Sequence, residues 1–154
     1  YDRMTIRHLV DLCFLKSDVR QSHAMFVIDV DNFKNYNDKY GHANGDLCLK
    51  HFAAAMKKCF PKDSILGRYG GDEFVVYIKN AASDAAHRYM DEFQREISHL
   101  MMSGGEHVTV SASAGGVAFA GEGEDFVSLC RSADNMLYDV KRNGKGTFKM
   151  KGAK

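Results

Sequence analysis

Four acidic residues stand where apolar, strand-like runs end or begin. Asp29 and Asp31 close one such run, and Asp72 and Glu73 open another. If the two runs are neighbouring strands, Asp29 and Asp72 converge on one point, whereas Asp31 already begins a turn and can point elsewhere. Carboxylates crowded together raise one another's pKa, and Mg²⁺ relieves that repulsion because it prefers carboxylate, carbonyl and water oxygens. The acids therefore predict a divalent metal site.

A metal held by few protein groups completes its shell with substrate phosphates, and paired ions stabilise the attacking and leaving oxygens of phosphoryl or nucleotidyl transfer. Turn chemistry is the alternative for each motif alone, because Asp and Gly are common turn residues. The coincidence of both motifs at adjoining strand ends favours the metal site.

Three lysines are candidates for contact with phosphate oxygens. Lys34 lies three residues after Asp31, and Lys141 and Lys145 flank the end of the last predicted helix. All three can act as point charges toward a triphosphate. The alternative for the two later lysines is that they only suit the negative end of the helix dipole.

A polar segment punctuated by glycines offers groups that can read a purine edge: Asn37, His42 and Asp46. Taken singly, each is equally explained as a turn or capping residue. Arg68, just before Gly70 and Gly71, is grouped with the substrate-binding residues, although the sequence does not decide whether it reaches phosphate or pairs with an acid. The two glycines are expected to allow a tight hairpin with positive φ.

The order of elements predicts an α+β fold. Apolar periodicity indicates strands at 23–30, 65–69, 74–79, 107–120 and 147–150, and helices at 47–60, from Ser83 to Leu100 and from Phe126 to Val140. Pro61 is expected to stop the first helix and Asn143-Gly144 to cap the last. The strand at 23–30 is expected to be covered on both faces and that at 107–120 on one, while 31–46 is predicted to be turn-rich. This pattern indicates antiparallel pairs with helices on one side, as in ferredoxin-like folds, and excludes all-helical and sandwich folds.

Composition limits the function classes. A chain of 154 residues that is 45% apolar suits one domain, 1–154. Lys and Arg total 21 against 20 Asp and Glu, with signs interleaved, so no basic surface for nucleic acid is expected. The four cysteines form no CxxC pair, and the three that fall within apolar helical patterns are expected to pack as small apolar residues, which suits a reducing compartment.

No apolar run in the sequence is as long as a membrane span, and the first residues do not resemble a signal peptide. We therefore expect a cytoplasmic chain without a membrane segment. Because it starts with Tyr1, we expect it to be the C-terminal output part of a longer protein.

Four motifs carry a resemblance to a known family. They run from about Ala24 to Phe148 in the order DVDNFKNYNDKYGHANGD, RYGGDEF, VTVSASAGGVAF and ADNMLYDVKRNGKGTF. The chain resembles a GGDEF domain, the catalytic domain of diguanylate cyclases. The resemblance implies condensation of two GTP into cyclic di-GMP with release of pyrophosphate, and two Mg²⁺ or Mn²⁺ per active site. It also implies a palm-like sheet of mixed strands with helices packed around it, similar to nucleotide cyclases, an antiparallel homodimer, and an N-terminal sensory domain in the full protein.

The resemblance assigns the catalytic and metal-binding roles residue by residue. Asp29, Asp72 and the backbone carbonyl of Val30 would hold the metals. Asp72 would also accept the proton, and Glu73 stands at the second acidic position that activity usually requires. Lys34 would stabilise charge developing at the phosphate.

The substrate-binding roles follow in the same way. Gly70 and Gly71 would let the backbone approach the nucleotide, and Lys141 would hold phosphates. Asn37 and Asp46 would recognise guanine, with His42 nearby. An Asp at position 46 favours guanine on both sides of the product, because family members that make mixed dinucleotides tend to carry Ser there.

The chain departs from the family pattern at three places. Lys145 replaces an Arg and cannot make a bidentate contact. The N-terminal Leu-Thr-Gly-Leu-x-Asn-Arg motif is reduced to Met4-Thr5-Ile6-Arg7. Pro61-Lys62-Asp63-Ser64 stands in place of the Arg-x-x-Asp of the product-inhibition site, which predicts no feedback inhibition there.

Two other function classes remain open. A degenerate member of the family can bind GTP or a partner as a regulatory module without turnover, and the altered N-terminal motif is compatible with that. The second is an interaction domain that shares only the fold, since function cannot be read from fold alone.

Overall fold

The structure is a computed structural model of the chain, and it describes residues 2–16, 22–98, 100–101, 107–108, 110–120 and 125–152. Along the chain its helices and strands are α1 Arg3–Lys16, β1 Ser22–Val30, α2 Phe33–Tyr40, α3 His42–Cys59, β2 Ile65–Arg68, β3 Glu73–Ile78, α4 Ser83–Ile97, β4 Leu100–Met101, β5 His107–Val108, β6 Ala112–Ala120, α5 Phe126–Arg142 and β7 Phe148–Lys151.

A mixed sheet in the order β2-β3-β1-β6-β7 forms the centre of the domain. β1 pairs antiparallel with both β3 and β6, whereas β6 and β7 run parallel and are joined by α5. β4 and β5 form a separate two-stranded sheet. The predicted α+β sheet of mixed strands with helices around it is confirmed.

Two hydrophobic cores lie on opposite faces of this sheet. Alternate β1 residues, including Phe26 and Ile28, pack with α3 and α4, and the residues between them, Met25 and Val27, pack with α1 and α5. The expectation that the helices lie on one side is wrong, because α5 crosses over the second face between the parallel strands β6 and β7. The expectation that β1 is covered on both faces is confirmed, and each large apolar side chain buried there contributes roughly 1.5–3 kcal/mol.

Residues 31–46, predicted to be turn-rich, instead contain α2 and the start of α3. α2 begins after Asn32, which has a left-handed backbone (φ 55°), and ends before Gly41, whose φ is 88°. Its aromatic rings lie against one another along one side. The ring centroids of Phe33 and Tyr36 are 6.4 Å apart, and those of Tyr36 and Tyr40 are 4.8 Å apart. This spacing at i, i+3 and i+4 supports a helix among residues typical of turns.

β6 was expected to be covered on one face, but every residue from Ala112 to Phe119 is buried. Gly115 explains how a second layer fits so close: a Cβ there would overlap the carbonyl of Ala133 and lie 2.9 Å from Cα of Leu137, both in α5. The run of small residues therefore allows close packing of α5 on the strand.

Most predicted boundaries hold to within a residue. Pro61 follows the end of α3, and Asn143 is the C-cap of α5, with Gly144 at φ 112°. Ser83 was expected to be an N-cap, but the cap is Ala82, and Leu100 lies in β4 rather than in α4.

Cysteines on the described helices agree with the composition. Cys48, Cys59 and Cys130 are free and buried, and burial with nearby acidic charge raises the pKa of the Cys59 thiol to about 11. The side chain of Cys13, like Thr109 of the predicted strand 107–120, lies outside the described residues. In the described ranges, no helix combines the length and the apolar character needed to cross a bilayer.

Candidate active site

The pairing of β1 with β3 brings the two acidic motifs together. Asp29 lies opposite Glu73 in the register, and the Val30 amide donates a hydrogen bond to the carbonyl of Asp72 (3.1 Å). Asp29 is the last residue but one of β1, which is buried from His23 to Val30, and it is itself only 8% exposed. The structure thus places Asp29 and Asp72 side by side, as the sequence predicts for neighbouring strands.

The turn between β2 and β3 is closed by its own backbone and by Arg68. The amide of Tyr69 donates to the carbonyl of Glu73 (2.8 Å), and Nε of Arg68 donates to the carbonyls of Gly70 (3.2 Å) and Gly71 (2.9 Å). Arg68 therefore binds the turn carbonyls, whereas the sequence suggested phosphate or an acid as its partner.

Gly70 and Gly71 were expected to adopt positive φ, and neither does. A Cβ at Gly71 would meet nothing within 4 Å, and one at Gly70 would meet only the Glu73 side chain, at 3.7 Å or more. The two glycines instead leave the outer side of the turn open.

A lysine from the last turn of α5 neutralises part of this acidic cluster. Nζ of Lys141 forms an ion pair with one carboxylate oxygen of Asp29, whose other oxygen is buried without a hydrogen-bond partner among the described residues. Desolvation alone would lower the pKa of Lys141, but its hydrogen bond to Asp29 and the nearby negative charges outweigh it and raise that pKa. Lys141 therefore does more than suit the helix dipole.

The pKa values of the carboxylates reflect their burial and crowding. Burial raises the pKa of Asp29, and the charge of Asp72 adds to that effect, while Lys141 acts against it. Burial likewise raises the pKa of Glu73, with further contributions from the charges of Asp29, Asp134 and Asp72. Such a cluster favours the arrival of another cation.

An open cavity of about 260 Å³ joins these groups to further predicted residues. It is shared by strand ends, the start of α2 and the end of α5, and it is lined by Asp29, Val30, Asp31, Asn32, Phe33, Lys34, Asn35, Asp72, Lys141 and Lys145. All three predicted phosphate-binding lysines face one space with both predicted metal-binding aspartates. Lys145 has a left-handed backbone (φ 61°) and its Nζ lies 3.4 Å from Oδ1 of Asn32.

Asp31 lines the same cavity, but its carboxylate is bound by two serines that the sequence reasoning missed. Its carboxylate accepts hydrogen bonds from the hydroxyls of Ser111 (2.7 Å) and Ser113 (2.6 Å). The fully buried Ser113 hydroxyl also accepts from the amide of Gly146 (3.0 Å). Asp31 thereby ties the end of β1 to the loop after α5. The alternation of serines at 111 and 113 was the available signal, because such residues share one face of a strand.

The residues predicted to read a base lie on α2 and α3. Asp46 and Arg68 line a second cavity of about 460 Å³ between α3 and the strands β2 and β3. His42 is exposed at the start of α3. Asn37 packs against Gly45 of α3, and its Oδ1 is buried.

Comparison with known proteins identifies the family. The sequence model described as "Diguanylate cyclase, GGDEF domain" matches residues 3–147. The chain belongs to the GGDEF family. This GGDEF domain is 33% identical over 127 residues to diguanylate cyclase A of Treponema denticola, covering 82% of the chain and 34% of that protein. It is 31% identical over 147 residues to the cyclic di-GMP phosphodiesterase PdeR of Escherichia coli, covering 96% of the chain and 22% of that protein. It therefore spans only about a third or less of these relatives.

The fold of this GGDEF domain is shared with solved members of the family. The crystal structure of the GGDEF domain of YfiN (TpbB) from Pseudomonas aeruginosa superposes with a TM-score of 0.90 at 27% identity, covering 100% of this chain and 98% of that one. The likeness confirms the palm-like sheet that the motifs implied.

The donor set of the GGDEF domain suits a magnesium-like ion. Over the part of the chain that the structure describes, no three His, Cys, Asp or Glu side chains gather closely enough to hold a metal by themselves. Mg²⁺ does not need such a cage, because it is usually bound by one or two carboxylates with water and phosphate oxygens. Such an ion fits at the buried oxygen of Asp29 that has no hydrogen-bond partner in the described ranges, beside Asp72 and the backbone of Val30.

Proposed function

We propose that this GGDEF domain is a diguanylate cyclase that joins two GTP into cyclic di-GMP with release of two pyrophosphates. The observation that carries the proposal is the convergence of Asp29, Asp72 and Lys141 at one cavity beside Glu73. Relatives named diguanylate cyclase support the same activity. A regulatory role in cyclic di-GMP signalling follows from the product.

Each chain binds one GTP and cannot close the ring alone. In a symmetric, antiparallel pair, the 3′-hydroxyl of one nucleotide is held in line with the α-phosphorus of the other. A bond forms from the 3′-oxygen to the α-phosphorus as the bond to the β-phosphate breaks, and this happens twice. Homodimerisation is then part of catalysis, and the rate of the isolated domain rises steeply with protein concentration.

The acidic residues and lysines divide the work at the phosphates. Asp29, Asp72 and the carbonyl of Val30 would hold two Mg²⁺ or Mn²⁺ ions, which would supply charge neutralisation at the reacting phosphate and the leaving pyrophosphate. Asp72 accepts the proton of the attacking hydroxyl, and Glu73 keeps the cluster negative enough to bind cations. Lys34, Lys141 and Lys145 hold phosphate oxygens as point charges.

Base recognition is assigned to α2 and α3. Asn37 and Asp46 bind guanine, with His42 nearby, and Asp46 favours guanine in both halves of the product. The open outer sides of Gly70 and Gly71 give the nucleotide room to approach the turn. Arg68 supports the same turn from within.

We assign residues 1–154 to one domain, the output part of a longer cytoplasmic protein with an N-terminal sensory domain. Product inhibition through an Arg-x-x-Asp site is absent from this proposal, because Pro61-Lys62-Asp63-Ser64 carries neither charged member of that motif. Cyclic di-GMP at about 1 mM, well above a micromolar affinity, should leave the initial rate unchanged. Inhibition that is lost on replacing Lys62 or Asp63 with Ala would contradict this.

A second function has one observation in its favour. The relative PdeR is named as a phosphodiesterase, so a GGDEF domain similar to this one is found in a protein named for a different activity. In that case the present domain binds GTP and acts as a regulatory or interaction module without turnover. Its metal-binding and acidic positions are intact, which favours the enzyme.

The test is to incubate concentrated domain with GTP and Mg²⁺ and to identify the product by mass. Cyclic di-GMP from the wild type, none from Asp72→Ala, and normal turnover by Asp139→Ala, a matched acid outside the cavity, would support the proposal. Binding of GTP without product would support the regulatory module instead. Full activity of Asp72→Ala would remove that residue from the mechanism.

A further inference from the structure

Gly45 is a glycine inside α3 without a conformational reason to be one. It is buried and lies within the helix, and its φ is not positive, unlike that of Gly41. Glycine destabilises the interior of a helix relative to alanine, so a glycine here needs a reason in packing.

The packing reason is the side chain of Asn37. A Cβ built at Gly45 would overlap Oδ1 of Asn37 and lie 2.8 Å from its Cγ, with the ring of Phe33 at 3.3 Å. The carboxamide of Asn37 therefore occupies the space that any larger residue at position 45 would fill.

The backbone around this contact leaves little freedom to adjust. The carbonyl of Asn37 accepts from the amide of Gly41 (2.7 Å), and the carbonyl of Gly41 accepts from the amide of Gly45 (3.0 Å). These two bonds link α2 to α3 and fix the distance between positions 37 and 45. A methyl group at position 45 must displace the Asn37 side chain rather than the helices.

The side chain of Asn37 is held there by shape rather than by a strong contact. Its Oδ1 is buried, and it has no hydrogen-bond partner within the described part of the chain. A buried carbonyl oxygen without a donor is unfavourable, so within the described residues the space left by Gly45, and not a hydrogen bond to Oδ1, accommodates the carboxamide.

We infer that Gly45 is a positioning residue for base recognition: the side chain that it lacks leaves the space that sets the Asn37 carboxamide for guanine. The inference rests on the proposed function, in which Asn37 recognises guanine. Gly45 itself touches no substrate, and its effect passes through Asn37.

A double-mutant cycle tests this with binding rather than turnover. The affinities of Gly45→Ala, Asn37→Ala and the double variant are measured by calorimetry with Mg²⁺ and the α,β-methylene analogue of GTP, and then with the adenosine analogue. Ala54→Gly, at an exposed position of the same helix, is the control for helix propensity.

Gly45→Ala is expected to weaken guanosine binding about tenfold, the effect of losing one good hydrogen bond, and to reduce the preference for guanosine over adenosine. In the Asn37→Ala background the same change should alter affinity less than about twofold, because the two residues act as one unit. Ala54→Gly should leave the affinity unchanged.

Three results of the binding measurements on Gly45→Ala and its control overturn the inference. One is unchanged guanosine affinity in Gly45→Ala, another is an equal loss with and without Asn37, and the third is an equal loss in Ala54→Gly. If Asn37→Ala alone leaves affinity unchanged, base recognition by Asn37 in the proposed function fails, and the inference falls with it. Should Gly45→Ala fold poorly, recovery of its melting temperature in the double variant supports the overlap, and no recovery refutes it.

Discussion

The ion pair between Lys141 and Asp29 tests whether the acidic cluster needs a cation. Lys141→Met removes the charge and keeps most of the apolar length of the side chain. The nearly buried carboxylate of Asp29 then faces Asp72 and Glu73 without the lysine that pairs with it. Breaking a fully buried pair costs about 3–5 kcal/mol, and an exposed pair is worth about 0–1 kcal/mol. Because the Lys141 side chain is 39% exposed, we expect the free energy of unfolding to fall by about 1–2 kcal/mol after that screening.

For a domain of this size, such a loss lowers the melting temperature by about 2–8 °C. Thermal unfolding without divalent cations measures it directly. Adding millimolar Mg²⁺ should raise the melting temperature of Lys141→Met by more than that of the wild type, because a bound cation replaces the missing charge beside Asp29.

Lys149→Met is the matched control. Lys149 pairs with Asp139 at 3.2 Å, but both side chains are more exposed, and neither lines the cavity. We expect a loss of less than about 1 kcal/mol and no added response to Mg²⁺. A Lys141→Met variant that melts with the wild type, or that responds to Mg²⁺ no more than the control does, would refute the reasoning.

Further predictions concern the packing of the sheet, the support of Asp31 and the stability of the domain at low pH. Gly115→Ala places a methyl group into the backbone of α5 and should lower the free energy of unfolding by about 3 kcal/mol or more, seen in urea titration; a normal midpoint would contradict the close approach. Ser113→Ala leaves the carboxylate of Asp31 short of a donor and should cost about 1–3 kcal/mol, more than Ser111→Ala at its exposed position. Burial lowers the pKa of His23 in the folded protein. On acidification His23 is therefore protonated in the unfolded chain before it is protonated in the folded one, and the free energy of unfolding should fall as the pH drops below about 6.5. His23→Gln should flatten that dependence in unfolding measured between about pH 7 and about pH 5.

Local sequence patterns predicted the elements that depend on neighbouring residues or on the burial of a whole strand. The unbroken apolar run of β1 indicated burial on both faces, and Pro61 and Asn143 marked the ends of two helices. α2 was missed because its Asn, Asp and Lys residues are typical of turns, and it has no fully buried residue to give an apolar stripe. The ring spacing from Phe33 to Tyr40 was the weaker signal that favoured a helix.

The number of sheet faces covered by helices was misjudged for a related reason. The order of elements indicated antiparallel neighbours with helices on one side, and the alternation of polar and small apolar residues in 107–120 suggested one exposed face. Only the tertiary structure shows that Gly115 allows α5 to lie directly on the strand. A glycine is a weak signal in a sequence, although its lack of a side chain decides how closely two backbones can approach.

The candidate site was predictable in its acids and not in its supports. Asp29 and Asp72 follow from strand-end positions, whereas the partners of Asp31 lie 80 and 82 residues away along the chain. No local pattern connects Asp31 to Ser111 and Ser113, because the connection depends on β6 pairing with β1. Arg68 is a different case, because its guanidinium binds the carbonyls of the turn that it precedes, a local contact that the sequence reasoning did not consider.

The register between β1 and β3 links the hydrophobic core to the chemistry. Ile28 lies opposite Phe74 and Phe26 opposite Val76, and all four side chains are buried in one core, so these pairs specify how the strands align. A slip of one residue would carry this set to the other face and would separate Asp29 from Glu73 and from the turn that holds Asp72. The geometry of the acids is therefore fixed by the apolar residues of the same two strands. The hydrophobic core holds the carboxylates together against their mutual repulsion, because a slip in register would destabilise the core by much more than the repulsion does.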